Sequence, residues 1–357
     1  MPIDPIGGRE LLDFSIIIPA KNEEAYIGRC LDSILHTDYP RDRFEVLVVD
    51  NGSSDRTALI AAAKGASVFS APEETIAGLR NFGVRRALGQ ILVFLDADCS
   101  VSSTWLDEAA RYLTAHSIAC FGAPPGIPEQ ATWVQKAWYQ VRRNPREIME
   151  VEWLESMNMF VRRDAFESVD GFDERLITCE DYDLCLRLKS LGKIVADGRI
   201  SAIHHGEAAT LTQFFHKERW RGTSNLRGVL YHGLQWRELP SLALPAIYCG
   251  LGLWVAAALI MLGIGPASLN PDILLYSFAA WQVPLVFYAL WKSRGVPGVA
   301  LGVQLFALLN LYFCARGWAF LLRSAERSDS AGKQFGRSGE FSKVDFSLSR
   351  NRTEKRK

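Results

Sequence analysis

Residues 91–100 read ILVFLDADCS, and this stretch decides the fold. Five consecutive apolar residues, Ile91–Leu95, end abruptly in Asp96-Ala97-Asp98. An unbroken apolar run of that length fits a strand covered on both faces. The same design recurs on the N-terminal side. Phe14–Pro19 runs into Ala20-Lys21-Asn22-Glu23-Glu24, and Phe44–Val49 runs into Asp50-Asn51-Gly52-Ser53-Ser54-Asp55. Helical spacing lies between these runs. Ile27, Leu31, Ile34 and Leu35 share one face of Glu24–Leu35, while Thr57–Lys64 and Ala77–Leu88 also read as helices. Ala66–Ser70 reads as a short strand. Strands alternating with helices predict βαβ units and a mainly parallel α/β sheet with flanking helices. Ligands of such sheets sit beyond the carboxyl ends of the strands, so the polar clusters there are the first candidates for chemistry.

The chain has 357 residues, 48% of them hydrophobic, with 40 basic and 40 acidic side chains. The neutral total hides an asymmetry: 34 acidic and 27 basic residues precede position 241, and residues 323–357 carry ten basic and five acidic ones. A nucleic-acid binder driven by overall positive charge is excluded, and so is a chain too polar to fold. Seven cysteines without a CxxC pair point to reduced thiols rather than to a disulfide framework or a zinc site. No basic-then-apolar signal pattern opens the sequence, so the first domain is expected to stay on the side where it is made.

Residues 241–322 carry only Asp272, Lys292, Arg294 and Arg316 as charges. Three apolar runs, Leu242–Ile264, Ile273–Trp291 and Gly298–Leu322, approach or exceed the ~20 residues that span hydrocarbon. The positive-inside rule puts the 292–297 link, and with it the first domain, in the cytoplasm. A third crossing would then place the basic tail outside against the same rule, and Arg316 would be costly there unless paired. Either the third run is re-entrant or interfacial, or the tail breaks the rule. The expected organisation is an N-terminal extension (1–13), an α/β domain (14–235), a transmembrane region of two to three helices (236–322) and a disordered basic tail (323–357).

Asp96 and Asp98 straddle one residue, and in extended chain both side chains point the same way. Two such carboxylates fit Mg²⁺ or Mn²⁺ shared with substrate phosphates. Cys179-Glu180-Asp181-Tyr182-Asp183 opens a further helix. Turns and helix caps account for any one of these clusters taken alone. Three on one rim of one sheet are harder to explain that way.

In order, FSIIIPAKNEEAYIGRCLDSI, VLVVDNGSSDRT, LRNFGVRRALG, ILVFLDADCS and VRRDAFESVDGFDERLITCEDYDLCLRLKSLG resemble the inverting family-2 glycosyltransferases. The resemblance covers roughly residues 14–235 and implies a GT-A fold, a Rossmann-like sheet with flanking helices, followed here by the transmembrane helices. It implies that Pro19, Ala20 and Glu23 contact the nucleotide, that Asp50 binds base or ribose, and that Arg80 and Asn81 lie near the diphosphate. Asp96 then stands near ribose and metal, Asp98 is the main ligand of a divalent cation (Mn²⁺ or Mg²⁺), and Asp181 is the general base. Glu180 positions the acceptor or serves only the helix dipole. His204, next to His205, matches a further metal or diphosphate ligand. His216-Lys217-Glu218-Arg219-Trp220 resembles the Q/RxxRW motif of membrane-embedded members, with His216 departing from it. There Arg219 is expected on the diphosphate and Trp220 on an acceptor sugar or the membrane. Trp133–Arg146 and Leu211–Tyr231 read either as interfacial helices or as ordinary amphipathic ones.

The resulting expectation is a multi-pass protein of the cell (inner) membrane with a cytoplasmic catalytic domain. It transfers a sugar from a nucleotide-sugar, taken as a UDP-sugar, to a lipid-linked or polysaccharide acceptor in envelope glycan synthesis, and binds membrane lipids but no nucleic acid. A processive polysaccharide synthase, a nucleotidyltransferase and a non-catalytic membrane scaffold are the rival readings.

Overall fold

The computed structural model describes residues 12–141, 148–176, 179–232, 239–264, 271–294 and 299–329. The expected extension before residue 12, the tail beyond 329, the side chains of Arg142, Arg143, Arg146 and Arg227, and most of the 292–297 link lie outside the described residues.

Ten strands are described: β1 (Phe14–Ala20), β2 (Phe44–Asp50), β3 (Ser67–Ser70), β4 (Ile91–Leu95), β5 (Cys99–Val101), β6 (Ile118–Gly122), β7 (Met149–Glu150), β8 (Asn158–Arg162), β9 (Lys193–Ala196) and β10 (Ala202–His204). Helices α1 (Ile27–Leu35), α2 (Thr57–Ala63), α3 (Ile76–Val84), α4 (Trp105–Ala110), α5 (Trp133–Val141), α6 (Arg163–Ser168) and α7 (Glu180–Leu188) flank them. Four longer helices follow: α8 (Leu211–His232), α9 (Leu239–Ile264), α10 (Pro271–Lys292) and α11 (Ala300–Asp329).

The main sheet has the order β3-β2-β1-β4-β8-β6-β9-β7. β3, β2, β1 and β4 are parallel, and so are β6 and β9, whereas β8 runs antiparallel to β4 and β6. The sheet is therefore mainly parallel but mixed. β1 is buried throughout because both faces are covered. Ile16 and Ile18 pack with Ile27, Leu31 and Ile34 of α1, and Ile17 faces Val49, Leu79 and Val84 on the other side. Full burial on both faces is what the unbroken apolar run required.

One helix starts later than its periodicity predicts. α1 begins at Ile27 rather than Glu24, because Asn22 is left-handed (φ 56°) and the next two amides are held elsewhere. Glu23 N donates to Thr57 Oγ1 at 2.7 Å and Glu24 N to Asp55 Oδ2 at 3.2 Å. The loop after β1 is thus pinned to the loop after β2.

α9, α10 and α11 each contain a segment long and apolar enough to cross a membrane: Ala243–Leu262, Asp272–Lys292 and Ala300–Trp318. α5 and α8 share an apolar core with them through Val134, Ala137, Phe214, Tyr248, Leu285 and Leu308. The division expected at residue 235 groups α8 with the α/β domain, while its apolar contacts are with α5 and the long helices.

Candidate active site

The loops after β1, β2 and β4 converge on one rim of the sheet, as parallel topology demands. There they line a cleft of about 1930 Å³. Asp96 and Asp98 leave β4 and enter β5, which pairs antiparallel with β10 in a register that sets His204 opposite Cys99. His204 Nε2 consequently lies 2.9 Å from Asp98 Oδ2. Gly206 lies so close that any Cβ there would overlap the Asp98 carboxylate. The neighbouring His205 ring is directed elsewhere, onto Ser100 Oγ at 2.8 Å and Arg29 at 3.3 Å.

Charge is concentrated at this rim. Burial, then the charges of Asp98, Asp96 and Asp55, push the Glu23 carboxyl up to about 7. Burial alone would lower the affinity of His204 for a proton, but hydrogen bonding to Asp98 and Glu207 reverses that and raises it to about 9. Burial would raise Asp98, yet its bond to His204 holds it below the usual carboxylate range. Two carboxylates, an imidazole and the room that Gly206 leaves suit an oxygen-and-nitrogen site for Mn²⁺ or Mg²⁺. No group of three His, Cys, Asp or Glu side chains closes into a metal cage among the described residues. Such a site is completed by phosphate oxygens and water.

Arg80 is 2% exposed and ties the rim to α7. Its Nη2 donates to Asp96 Oδ1 at 3.1 Å and its Nη1 to Glu180 Oε1 at 2.7 Å, over the ring of Phe172. Asp181, next along α7, accepts from Tyr182 N at 2.8 Å and Ser156 N at 3.4 Å. Burial and the charges of Glu180 and Glu155 raise it to about 7. The residue before this helix, Cys179, is left-handed (φ 65°), a conformation that costs a side chain about 1–3 kcal/mol and clusters at functional sites.

Pro19, Ala20, Glu23, Arg80, Asp96, Asp98, Glu180, Asp181, His204 and Trp220 all line the cleft. Three other expected residues do not. Asn81 turns away, because Nδ2 donates to Phe172 O at 2.8 Å and Oδ1 accepts from Phe172 N at 3.0 Å, which fixes the 171–174 turn. Arg219 is on the wrong face of α8: Lys217, Trp220 and Arg221, spaced i, i+3 and i+4, face the cleft instead. Asp50 sits behind the rim. Its Oδ2 accepts from Ser53 N at 3.0 Å, and its buried Oδ1 has no hydrogen-bond donor among the described residues.

The cleft also has walls that no motif signals. Lys21 and Asn51, joined at 3.1 Å, stand beside residues that the motifs do mark. Trp153, Glu155 and Ser156 come from the loop before β8. Beyond α8 the cleft continues between α9, α10 and α11, along Ile247, Tyr248, Trp281, Leu285, Tyr312 and Phe313.

Residues 15–170 match the family described as Glycosyl transferase family 2. The chain is 30% identical over 187 residues to glycosyltransferase AglE of Haloferax volcanii, a match covering 50% of this chain and 62% of that one. It is 28% identical over 197 residues to the beta-monoglucosyldiacylglycerol synthase of Synechocystis sp., covering 48% and 39% respectively. The chain thus spans less than two thirds of either relative's length. Among solved structures, the mannosyltransferase PcManGT from Pyrobaculum calidifontis, in complex with GDP-Man and Mn²⁺, is similar with a TM-score of 0.57 at 18% identity. That likeness covers 87% of this chain and 89% of the other, and at this identity it speaks for the fold, which is GT-A-like.

Proposed function

We propose that the chain, whose residues 15–170 match glycosyl transferase family 2 and whose fold is GT-A-like, transfers one sugar, with inversion, from a nucleoside-diphosphate sugar to a hydroxyl of a lipid-linked or glycan acceptor at the membrane. One observation carries this reading. A single cleft runs from Asp96, Asp98 and His204, past Asp181, into an apolar groove between the long helices.

In this reading the donor lies across the strand ends, with Lys21 near the diphosphate, while Asp50, behind the rim, holds the loop after β2 through Ser53 N. Asp98, His204 and Asp96 would hold a divalent cation, which when bound neutralises charge on the leaving diphosphate. Arg80 keeps Asp96 and Glu180 in fixed relation, so donor and acceptor ends do not drift apart. Asp181 removes the proton from the acceptor hydroxyl as its oxygen bonds to the anomeric carbon. The bond from that carbon to the diphosphate oxygen breaks, and the nucleoside diphosphate leaves. A base raised to about 7 is matched to neutral conditions. The name of the Synechocystis relative, a glucosyldiacylglycerol synthase, favours a lipid product over a processive polymer.

The test is nucleoside-diphosphate release by the purified, detergent-solubilised chain. UDP-, GDP- and dTDP-sugars are screened with Mn²⁺, Mg²⁺ or EDTA, beside Asp98→Ala. Release from one donor that needs the ion and is lost in Asp98→Ala supports the reading. Pyrophosphate release instead would identify a nucleotidyltransferase. No release and no ion-dependent binding of any donor would favour the scaffold.

A further inference from the structure

The third apolar helix sits differently from the other two. α9 and α10 form an antiparallel hairpin. The ring of Tyr248 is 5.4 Å from that of Trp281, and, further along, Trp254 Nε1 donates to Ser277 Oγ at 3.2 Å. The start of α9 and the end of α10 are therefore at the same end of the hairpin, the end beside the α/β domain. Lys292 Nζ, in the last turn of α10, donates to Val141 O of α5 at 3.0 Å.

α11 begins at that end and stays near it. The Cβ position of Gly302 is 3.7 Å from Leu290 Cδ2 and 3.5 Å from Ser293 Oγ, at the close of α10. The Tyr312 ring is 5.5 Å from Trp138 of α5. Arg316 Nη2 is 2.9 Å from Glu218 of α8, and Glu218 is 1% exposed. The Cβ position of Gly317 is 3.2 Å from Pro245 O, in the second turn of α9. From Gly302 to Gly317 a helix advances about 22 Å. A crossing helix would by then be level with Trp254 and Ser277. Gly317 is instead still beside the first turns of α9, so α11 passes obliquely across the base of the hairpin and keeps contact with α5 and α8 on the way.

We propose, building on the membrane-bound reading above, that α9 and α10 alone cross the bilayer and that α11 lies in the leaflet on the catalytic side. Its exposed Val303 and Trp318 then rest on lipid. This placement resolves both conflicts in the sequence. Arg316 is held at the interface by Glu218 rather than in hydrocarbon, and the end of α11 returns to the side that the positive-inside rule assigns to basic residues. It also gives the cleft its entrance. Leu309, Tyr312 and Phe313 of α11 form one wall of the groove, opposite α9 and α10. A lipid acceptor in that leaflet enters sideways, chain first along the hairpin, with its head toward Asp181.

The experiment is labelling of full-length protein in intact cells with a membrane-impermeant thiol reagent, the unsubstituted chain serving as blank. Asp272→Cys, at the far end of the hairpin, is expected to label from outside. Ser328→Cys, near the end of α11, is expected to label only after permeabilisation. A fluorescent protein fused after Lys357, reached by an impermeant quencher only after permeabilisation, reads the same side without a substitution. Ser328→Cys or the fusion reached from outside means three crossings and overturns this proposal alone. Asp272→Cys silent from outside overturns the membrane-spanning reading and the proposal together.

Discussion

At the end of the cleft that the proposal gives to the donor, charged side chains hold one another in place across long stretches of sequence. Arg80 grips Glu180 and Asp96, and His204 grips Asp98, 106 residues away. At the end proposed to face the membrane the walls are apolar, and Arg316 with Glu218 forms an ion pair that joins α11 to α8. The contrast separates two kinds of constraint. The donor end fixes atoms to within a hydrogen bond, so a single substitution removes chemistry or folding. The groove fixes shape and depth, and most single changes there are expected to alter acceptor affinity instead.

The largest expected effect is chemical. Asp181→Asn should reduce transfer by about 10²–10⁴-fold, the usual contribution of a general base. Its thermal unfolding should stay at the wild-type midpoint or above it, since a buried like-charge contact with Glu180 is removed. Arg80→Met should act on the fold as well. Leaving Asp96 and Glu180 without their shared cation costs about 3–5 kcal/mol, read by chemical denaturation of the detergent-solubilised chain. Arg80→Lys should not restore wild-type stability, because one ammonium cannot replace a fork that reaches two carboxylates.

Smaller effects probe the other end. Arg316→Met should cost about 2 kcal/mol by removing a charged hydrogen bond from buried Glu218. Combining it with Glu218→Leu should recover part of that loss, since no buried carboxylate is left and the other partner of Glu218, Arg221, keeps access to solvent. Equal losses in single and double variants would show that packing, rather than the ion pair, secures α11.

The pH profile links the two ends through Asp181. In its proposed role Asp181 must be ionised, and its proton affinity is raised from the ordinary value to about 7. Transfer should therefore be full above that value and fall roughly five-fold between pH 7 and pH 6, rather than near pH 4. Glu155→Gln removes a neighbouring negative charge and should move the midpoint to lower pH. The smallest expected effect is that of Trp220→Ala, a few-fold rise in KM for the acceptor with kcat nearly unchanged. Trp220 is 52% exposed.

The sheet and the rim were legible in sequence because their signals are local. Apolar runs of five to seven residues ending in Asp or Glu mark both a buried strand and its carboxyl end. Asp96 and Asp98 follow from that rule together with the family resemblance, and Glu180 and Asp181 from the resemblance at the start of a helix. What escaped depends on contacts between distant segments. Asn81 is sequence neighbour to Arg80, but the next helical position points about 100° away, toward Phe172. Arg219 was chosen by motif, whereas the face toward the cleft is set by the phase of α8 against α11 and passes through Lys217, Trp220 and Arg221. The three apolar runs were visible by composition. The oblique path of α11 was not, because it rests on Arg316 meeting Glu218 and Gly317 meeting Pro245.

If one cleft joins a nucleotide-sugar site to a membrane acceptor, donor turnover and lipid labelling are a single event. The most direct test supplies the purified chain, reconstituted in liposomes made with native membrane lipid extract, with radiolabelled nucleotide-sugar and Mn²⁺. Label from one donor is expected in the organic-extractable lipid fraction, with one nucleoside diphosphate released per sugar transferred and both reduced about 10²–10⁴-fold in Asp181→Asn. Donor turnover with all label left in the aqueous phase, as free sugar or as polymer, would contradict it.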